Sequence, residues 1–423
     1  MMRTMWVTTH RWLGLTAALF LLVAGLSGAA LSWGVELDRW LNPQFHADVH
    51  ATGQPRAPGE IVAAVEAADP GAVVTDLALR SDPGQALAVG VQARRSGGHA
   101  SRPELGYTQV FVDPYTARIL GRRDEHRIGF DREHLVPTLQ NLHTNLLTPE
   151  RPGWGRLWMG AIAVVWILNL FVGVYLTLPL RRNPKAGSRA AAKPPLPLWR
   201  LWGPAWKVQI GGGPHRLALD LHRAFALWFW GLLLIQALTG VEQNLRKELV
   251  QPALTAVAKV TPGPFDRPRP TPSPAVRLVD VVTLAAADAR GRGWREPPVR
   301  AFYSPGYGVY TVRFLDRPER TLARGVTIQD TKELYFDDHA RPVGERTPWK
   351  GSGADIWLQL RTPLHSHAIY GRLGPFVGLV VGVGTAMMSV TGVLIWWRKR
   401  GQAPRSAKRP ARTPGGGLGG PRV

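Results

Sequence analysis

The chain has 423 residues and no cysteine, and its 52 Lys and Arg residues against 30 Asp and Glu give a formal charge of +22 at pH 7. The absence of cysteine excludes disulfides, iron–sulfur clusters, covalent haem attachment through a Cys-x-x-Cys-His motif and thiol redox chemistry. Any electron carrier would therefore be held by His, Met or noncovalent contacts.

Four apolar segments contain no Asp, Glu, Lys or Arg. They cover residues 13–35, 157–180, 224–241 and 373–397. Each is about as long as the 17 to 25 residues that a helix needs to cross a bilayer, so the sequence predicts an integral membrane protein with four spanning helices. The first segment is also compatible with a cleaved secretory signal, since small residues occupy 27–30. The third segment begins with the same His-Arg pair deep inside the chain, where no signal peptide can lie, and this favours a retained anchor.

The basic residues indicate the orientation of the spans. Residues 1–11, 181–216 and 398–423 are rich in Lys and Arg and contain no Asp or Glu, and short cytoplasmic segments of membrane proteins collect basic residues. We therefore predict that both termini and the 181–216 linker are cytoplasmic. The rest of the chain is close to charge balance, so the pI of about 11.1 reflects membrane topology and predicts no nucleic-acid partner.

Two long polar stretches lie on the opposite side of the predicted membrane. In residues 36–153 the pattern predicts a helix beginning at Pro58, strands at 73–79, 86–91, 107–112 and 118–120, and a helix at 132–147. Residues 242–371 repeat that order, with a helix at 276–289, strands at 299–303, 309–314, 325–328 and 333–336, and a helix at 354–370 with a break at Pro363. A Pro-rich segment at 261–274 is predicted to be an extended spacer.

The two halves of the chain correspond along almost their whole length. Residues 334–337 align with 110–113, and residues 371–373 align with 155–157. We predict a membrane α-helical protein in which an internal duplication forms a four-helix transmembrane bundle about a pseudo-twofold axis along the membrane normal, with two external α+β domains. The predicted units are an N-terminal segment with the first span (1–35), an external domain with its helix (36–153), the second span (154–180), the linker (181–216), the third span (217–241), an external domain with its helix (242–371), the fourth span (372–397) and a disordered basic tail (398–423).

A histidine precedes or opens every apolar segment. These residues are His10, His143, His222 and His365. In the predicted topology His10 and His222 lie at the cytoplasmic ends of spans one and three, and the other two precede spans two and four on the outer side. One imidazole from each of two helices is what a noncovalently held b-type haem needs. The sequence therefore predicts two haem b groups, one near each membrane face, with these four histidines as iron ligands.

Two alternatives stay open for these histidines. A single His at a membrane interface is commonly a capping or snorkelling side chain, so the prediction depends on the repetition in both halves. His367 lies two residues after His365 and is a second candidate ligand. The pairing of His10 with His222 follows from equal depth, and other pairings between the spans stay open.

The spans also contain small and weakly polar residues. The polar ones are predicted interhelical hydrogen-bond partners: Asn169, Gln236, Thr239, Thr385 and Ser389. The glycines would let helices or a flat macrocycle approach closely: Gly25, Gly28, Gly173, Gly240, Gly382, Gly384 and Gly392.

Four segments carry a resemblance to a known family. They are residues 10–15 (His-Arg-Trp-Leu-Gly-Leu), 112–121 (Val-Asp-Pro-Tyr-Thr-Ala-Arg-Ile-Leu-Gly), 142–143 (Leu-His) and 392–398 (Gly-Val-Leu-Ile-Trp-Trp-Arg). Over about residues 5–400 the chain resembles the PepSY-associated transmembrane proteins. That family includes iron-regulated inner-membrane proteins and ferric-siderophore reductases with four spans, two periplasmic PepSY-like domains and haem held by histidines.

The resemblance implies a multi-pass protein of the bacterial inner membrane that delivers electrons from the cytoplasmic or quinone side to a periplasmic ferric chelate, such as a siderophore. The four histidines fit the family's repeated pattern, whereas no substrate-pocket motif can be transferred. Some relatives are fused to a flavin reductase module that this sequence does not contain, so the electron donor, a flavin reductase or a quinone, is expected to be separate.

The alternatives are a non-redox PepSY membrane protein that binds or restrains a periplasmic protease or senses envelope stress, and a transporter. The external stretches have no Gly-x-Ser-x-Gly, His-Glu-x-x-His or dinucleotide-binding glycine motif, which disfavours a hydrolase.

Overall fold

The computed structural model describes residues 2–46, 53–80, 84–94, 105–149, 153–179, 196–266, 268–271, 274–315 and 331–401. Its helices are α1 (Met2–Leu31), α2 (Gly34–Leu41), α3 (Pro58–Ala68), α4 (Leu135–Asn145), α5 (Trp154–Thr177), α6 (Leu198–Trp202), α7 (Gly213–Trp228), α8 (Trp230–Leu245), α9 (Gln251–Val257), α10 (Leu278–Gly291), α11 (Gly353–His365) and α12 (Gly374–Gly401). Its strands are β1 (Ala72–Ala78), β2 (Leu87–Ala93), β3 (Gln109–Val112), β4 (Ile119–Arg123), β5 (Pro298–Ser304), β6 (Val309–Leu315), β7 (Thr331–Asp337) and β8 (Pro342–Arg346). The predicted strand at 325–328, part of the linker and nearly all of the basic tail lie outside the described residues.

Within the described residues, three helical stretches are long and apolar enough to cross a membrane: Met2–Leu31, Trp154–Thr177 and Gly353–Arg400, the last of which contains α11 and α12. A fourth crossing results if Gly213–Trp228 and Trp230–Val257 count as one span, although the two are bent by 74° at the break. The protein is therefore a membrane protein with several apolar helices. The third apolar segment differs from a straight helix because Phe229 leaves the helical conformation, with φ of -108° and ψ of 10°.

The apolar helices α1, α5, α7, α8 and α12 pack together and are called the apolar layer. Helix α1 packs against α12 and α5, while α5 packs against α8 and α7 packs against α12. The contact between α1 and α12 is made by glycines: a Cβ added to Gly25 would lie 2.6 Å from the carbonyl oxygen of Gly382, and a Cβ on Gly382 would lie 2.5 Å from the carbonyl oxygen of Gly25. Small residues that bring two backbones together are typical of helix contacts in membranes. A side chain at either position would push the helices apart.

The described strands of the two polar stretches, 36–153 and 242–371, form one antiparallel sheet in the order β4-β3-β2-β1-β5-β6-β7-β8. The two stretches meet where β1 pairs with β5, with Asp76 opposite Phe302. Arg300 of β5 also donates a hydrogen bond of 2.9 Å to Asp76 across this junction. From the central pair the strands run outward in chain order on each side. The predicted external domains thus share one sheet, whose apolar face is covered by α3 and α10.

Two turns of similar design end the third strand of each stretch. The Asp113 carboxylate accepts hydrogen bonds from the backbone N–H groups of Tyr115 and Thr116, and Asp337 accepts from the N–H groups of His339 and Arg341. An Asp side chain that bonds the backbone of the following residues stabilises a tight turn.

The helix that precedes α12 ends later than its proline suggested. Pro363 lies inside α11, which continues to His365, and the break follows at His367, where φ is 60°. Proline removes one N–H donor but has a φ compatible with a helix, so α11 tolerates it near its end. The predicted break at Pro363 is therefore wrong by a few residues.

Candidate functional site

The structure brings the four histidines of the sequence pattern together in two pairs. His10 of α1 and His222 of α7 form the N-terminal pair, with ring centres 6.3 Å apart and ring planes at 81°. His143 of α4 and His365 of α11 form the sheet-side pair, with ring centres 6.1 Å apart and planes at 57°. Each pair takes one residue from each half of the chain. These are the pairs that equal depth along the spans predicted.

The ring separation in both pairs is suited to one metal ion between two imidazoles. An imidazole nitrogen binds a metal ion at about 2 Å, so two rings that face each other across one ion have centres about 6 Å apart. Two nitrogens alone leave most isolated metal ions short of ligands. They would fit a metal whose remaining ligands come from a planar macrocycle, as in haem.

Hydrogen bonds at Nδ1 determine which ring nitrogen is available in the sheet-side pair. His143 Nδ1 lies 3.0 Å from Ser27 Oγ, and His365 Nδ1 lies 3.0 Å from Thr239 Oγ1. Each hydroxyl already donates its own proton to a carbonyl of its helix, at 2.6 Å for Ser27 and 2.7 Å for Thr239. With that proton on the carbonyl, the hydroxyl oxygen is placed to accept from Nδ1–H. This arrangement favours the tautomer in which Nε2 has the lone pair that can bind a metal ion.

In the N-terminal pair the two rings are held differently. His222 Nδ1 lies 3.0 Å from the carbonyl oxygen of Met388, which can only accept, so Nδ1 carries the proton there as well. His10 has Asn169 as its neighbour, and its buried Nδ1 makes no well-formed hydrogen bond to a described residue. The available nitrogen is thus defined for His222, while His10 retains more freedom.

Each of the four rings lies against a glycine of another helix. A Cβ on Gly28 would lie 3.0 Å from His143, one on Gly173 would lie 3.2 Å from His10, one on Gly392 would lie 3.4 Å from His222, and one on Gly240 would lie 3.9 Å from His365. Glycine at these positions leaves room for the rings between the helices. The glycines predicted to permit a close approach therefore divide into two groups, those beside the histidines and those, such as Gly25 and Gly382, at the helix crossing.

A cavity of about 670 Å³ adjoins the sheet-side pair. Its volume is within the range of about 300 to 1,000 Å³ that is typical of cofactor and ligand sites. His143 and His365 line the cavity together with apolar side chains and with glycines of α1, α8 and α12. Polar side chains also line it, among them Gln140, Asn145 and Asn244. The volume and lining of this space suit a mainly apolar molecule that also carries polar groups.

His367 lies in the same cavity but outside the pair. Its side chain is buried, its ring stacks on that of Tyr370 with centres 6.4 Å apart, and its Nδ1 would lie 3.1 Å from a Cβ on Gly378. His143 therefore faces His365 and not the alternative ligand.

The two pairs lie at opposite ends of the apolar layer. His10 and Ser27 are both on α1, and the helix between them spans about 25 Å at 1.5 Å per residue. This length is close to the thickness of about 30 Å of a bilayer's hydrocarbon core. The arrangement can therefore place one metal site near each membrane face.

The hydrogen-bond partners of the histidines were only partly predicted. Thr239 was expected to form an interhelical hydrogen bond and does so with His365, whereas Ser27 and the carbonyl of Met388 were missed. A signal was present for Ser27, because Ser27-Gly28 and Thr239-Gly240 are a repeated hydroxyl–glycine pair in the two halves. No sequence pattern marks a backbone carbonyl as an acceptor. Among the described residues, no group of three or more His, Asp or Glu side chains could hold a bare metal ion.

Comparison with known families and proteins gives one result. A family model described as PepSY-associated TM region matches residues 7–399. No curated protein matches the chain significantly.

Proposed function

The chain belongs to the PepSY-associated transmembrane family, and we propose that it is a di-haem electron-transfer protein of the bacterial inner membrane. In this proposal it carries electrons from a cytoplasmic flavin reductase or a membrane quinone to a periplasmic ferric chelate of the siderophore class. The observation that carries the proposal is the separation of about 6 Å between the rings of both histidine pairs.

The architecture in this proposal is a four-helix bundle produced by an internal duplication. Its helices are α1, α5, the bent α7–α8 unit and α12, and two PepSY-like domains form the joined sheet. Three observations support the duplication. Strands run outward in chain order on both sides of the β1–β5 junction, and each histidine pair combines one residue from each half. In each half, the hydroxyl of a hydroxyl–glycine pair also contacts the sheet-side histidine of that same half.

The chain's own residues have two tasks in this function. His10 with His222, and His143 with His365, would each hold the iron of one haem, which would supply a one-electron Fe(III)/Fe(II) couple. Ser27 and Thr239 keep the sheet-side rings in the ligating tautomer. Because the two pairs lie at opposite ends of the apolar layer, the distance that electrons cross is divided between two sites.

The proposed orientation is supported by the distribution of basic residues, and the proposed substrate by the chemistry of Fe(III) chelates. The basic segments at both termini and in the linker favour the cytoplasm, which puts the sheet and the sheet-side pair on the periplasmic side. Siderophores bind Fe(III) through hard oxygen donors, whose hold depends on the charge of the metal. One electron from the protein converts Fe(III) to Fe(II) and weakens that hold, so iron is released without hydrolysis of the chelator.

The direct test uses the full chain purified in detergent from haem-replete cells. We expect a red protein whose Soret band shifts on addition of dithionite, and whose reduced spectrum returns to the oxidised one when a ferric chelate is added without oxygen. A gallium chelate of the same ligand is the matched control, because Ga(III) is not reduced under these conditions. A haem-containing protein that stays reduced with every ferric chelate would exclude the reductase function, and a colourless protein would favour the non-redox binding protein.

A further inference from the structure

The sheet-side cavity has one permanent charge at its edge. Among the described residues that line it, Arg156 alone is a Lys, Arg, Asp or Glu. The other polar lining groups, such as Gln140, Gln243 and Asn244, are neutral. A single cation beside uncharged hydrogen-bonding groups is suited to a carboxylate on an otherwise apolar molecule.

The first turn of α5, where Arg156 lies, contacts residues close to both members of the sheet-side pair. On one side, the first turn of α5 packs against the end of α4: Gly155 is so close to the carbonyl of Asn145 that no Cβ fits there. Asn145 comes two residues after His143. On the other side, Arg156 donates a hydrogen bond to the carbonyl of Asn244, which follows by one turn the Gly240 that faces His365. Arg156 lines the same cavity as His143 and His365.

Arg156 forms an exposed ion pair with Glu248 that another carboxylate can displace. Its guanidinium bonds the Glu248 carboxylate at 2.6 and 3.2 Å, and the side chains are 38% and 42% exposed. Ion pairs with this exposure contribute little to stability. Glu248 lies in a π-helical turn, Arg246–Val250, a local irregularity that is common near functional sites. A second carboxylate can therefore compete for the same guanidinium.

We infer that Arg156 binds a propionate carboxylate of the haem that the sheet-side histidines hold, and thereby fixes the rotation of the macrocycle in the cavity. This inference rests on the proposed function, since it requires haem in that site. It goes further by assigning a recognition residue for the carboxylates of the cofactor. Arg372, which occupies the corresponding position in the second half, is exposed and does not line the cavity.

The test compares Arg156→Gln with two matched controls in a His10→Ala, His222→Ala background, in which only the sheet-side pair can hold haem. The rate of haem loss to an excess of apomyoglobin is measured. We expect Arg156→Gln to release haem about tenfold faster, the change that corresponds to one charge-assisted hydrogen bond. Arg372→Gln should release it at the parent rate. Glu248→Gln should release it at the parent rate or more slowly, because it frees Arg156 from its competitor.

A second arm identifies the group that Arg156 binds. Reconstitution with haem dimethyl ester, which has no free carboxylates, should speed haem loss about tenfold in the parent but not in Arg156→Gln, because the same interaction is then already absent. Equal effects of Arg156→Gln and Glu248→Gln would show that Arg156 serves only the ion pair and would overturn the inference. Persistent sensitivity to esterification in Arg156→Gln would overturn it also, since another group would then bind the propionates.

A third measurement does not depend on the double-histidine background. In the otherwise native chain with both haems, Arg156→Gln should lower the reduction potential of one of the two, because a cation near the iron favours the reduced state. Unchanged potentials for both haems would contradict the inference while leaving the proposed function intact. A chain that binds no haem at all would overturn both.

Discussion

Replacement of Thr239 by Val tests whether the hydroxyl controls the sheet-side ligand. The substitution conserves the shape of the side chain and removes the oxygen that accepts from His365 Nδ1–H at 3.0 Å. The free Nδ1–H would then be unsatisfied in a part-buried site, which costs about 1–3 kcal/mol. The ring can avoid this cost by taking the other tautomer, in which Nε2 carries the proton and cannot bind iron. Loss of a group that orients a metal ligand typically lowers metal affinity by about 10- to 100-fold.

The Gln236 amide does not replace the hydroxyl in this variant. Its nitrogen lies 3.4 Å from both ring nitrogens of His365, but an amide nitrogen is a hydrogen-bond donor and cannot accept from Nδ1–H in place of the hydroxyl. We therefore expect haem to be lost from the sheet-side pair at least about tenfold faster in Thr239→Val, with the haem of the N-terminal pair retained. Stopped-flow transfer of haem to apomyoglobin resolves the two as separate phases.

Thr385→Val is the control for this substitution. Thr385 also lines the sheet-side cavity and is buried, and its hydroxyl bonds a carbonyl of its own helix at 2.8 Å, but it forms no hydrogen bond with either histidine pair. Equal rates of haem loss in Thr239→Val and the parent would refute the tautomer argument. Faster loss of both haems would show a general disturbance of the helices.

Two further predictions concern stability. Gly382→Ala places a Cβ 2.5 Å from the carbonyl oxygen of Gly25 and should destabilise the contact between α1 and α12 by about 1–3 kcal/mol. This loss should be measured as a lower thermal midpoint in detergent. The control is Gly231→Ala, which should not lower the midpoint because a Cβ at that position meets nothing within 4 Å. In the sheet, burial opposes ionisation of Glu333, but the charges of Arg313 and Arg346 outweigh it and keep the pKa of Glu333 below its usual value. The stability from this carboxylate is present above its unfolded pKa of about 4 and is lost as pH falls through the lower folded pKa, so Glu333→Gln should lower the thermal midpoint at pH 7 and reduce its further fall in acid. An unchanged pH profile in Glu333→Gln would contradict the assignment.

The sequence could predict the features that depend on local pattern. The apolar segments, most strands and the turns at Asp113 and Asp337 each follow from residues close together in the chain. The histidine pairs could be predicted because corresponding positions of a repeat lie at the same depth in the membrane. His10 corresponds to His222, and His143 corresponds to His365. Periodicity carries no comparable information on which strands meet, so the pairing of β1 with β5 into one sheet was not foreseen.

The remaining differences arise from tertiary contacts. Nothing in residues 224–241 signals the bend at Phe229, since the segment has no proline, and the stacking of Phe225 on Phe229 at 4.4 Å depends on the local packing of the helix. The left-handed conformation of His367 likewise places a bulky residue where glycine is usual. Strain of this kind is maintained by surrounding contacts that a one-dimensional pattern does not reveal.

The most direct test of the central claim is the number and ligation of haems in the purified full chain, determined by pyridine haemochrome analysis together with low-temperature EPR of the oxidised protein. We predict two haems per chain, both low-spin with two imidazole ligands; His143→Ala with His365→Ala should remove one signal, and His10→Ala with His222→Ala the other. The exposed His339 provides a control whose replacement should change neither. A full complement of low-spin haem in either double variant, or the absence of haem from the unaltered chain, would contradict the assignment of these four histidines.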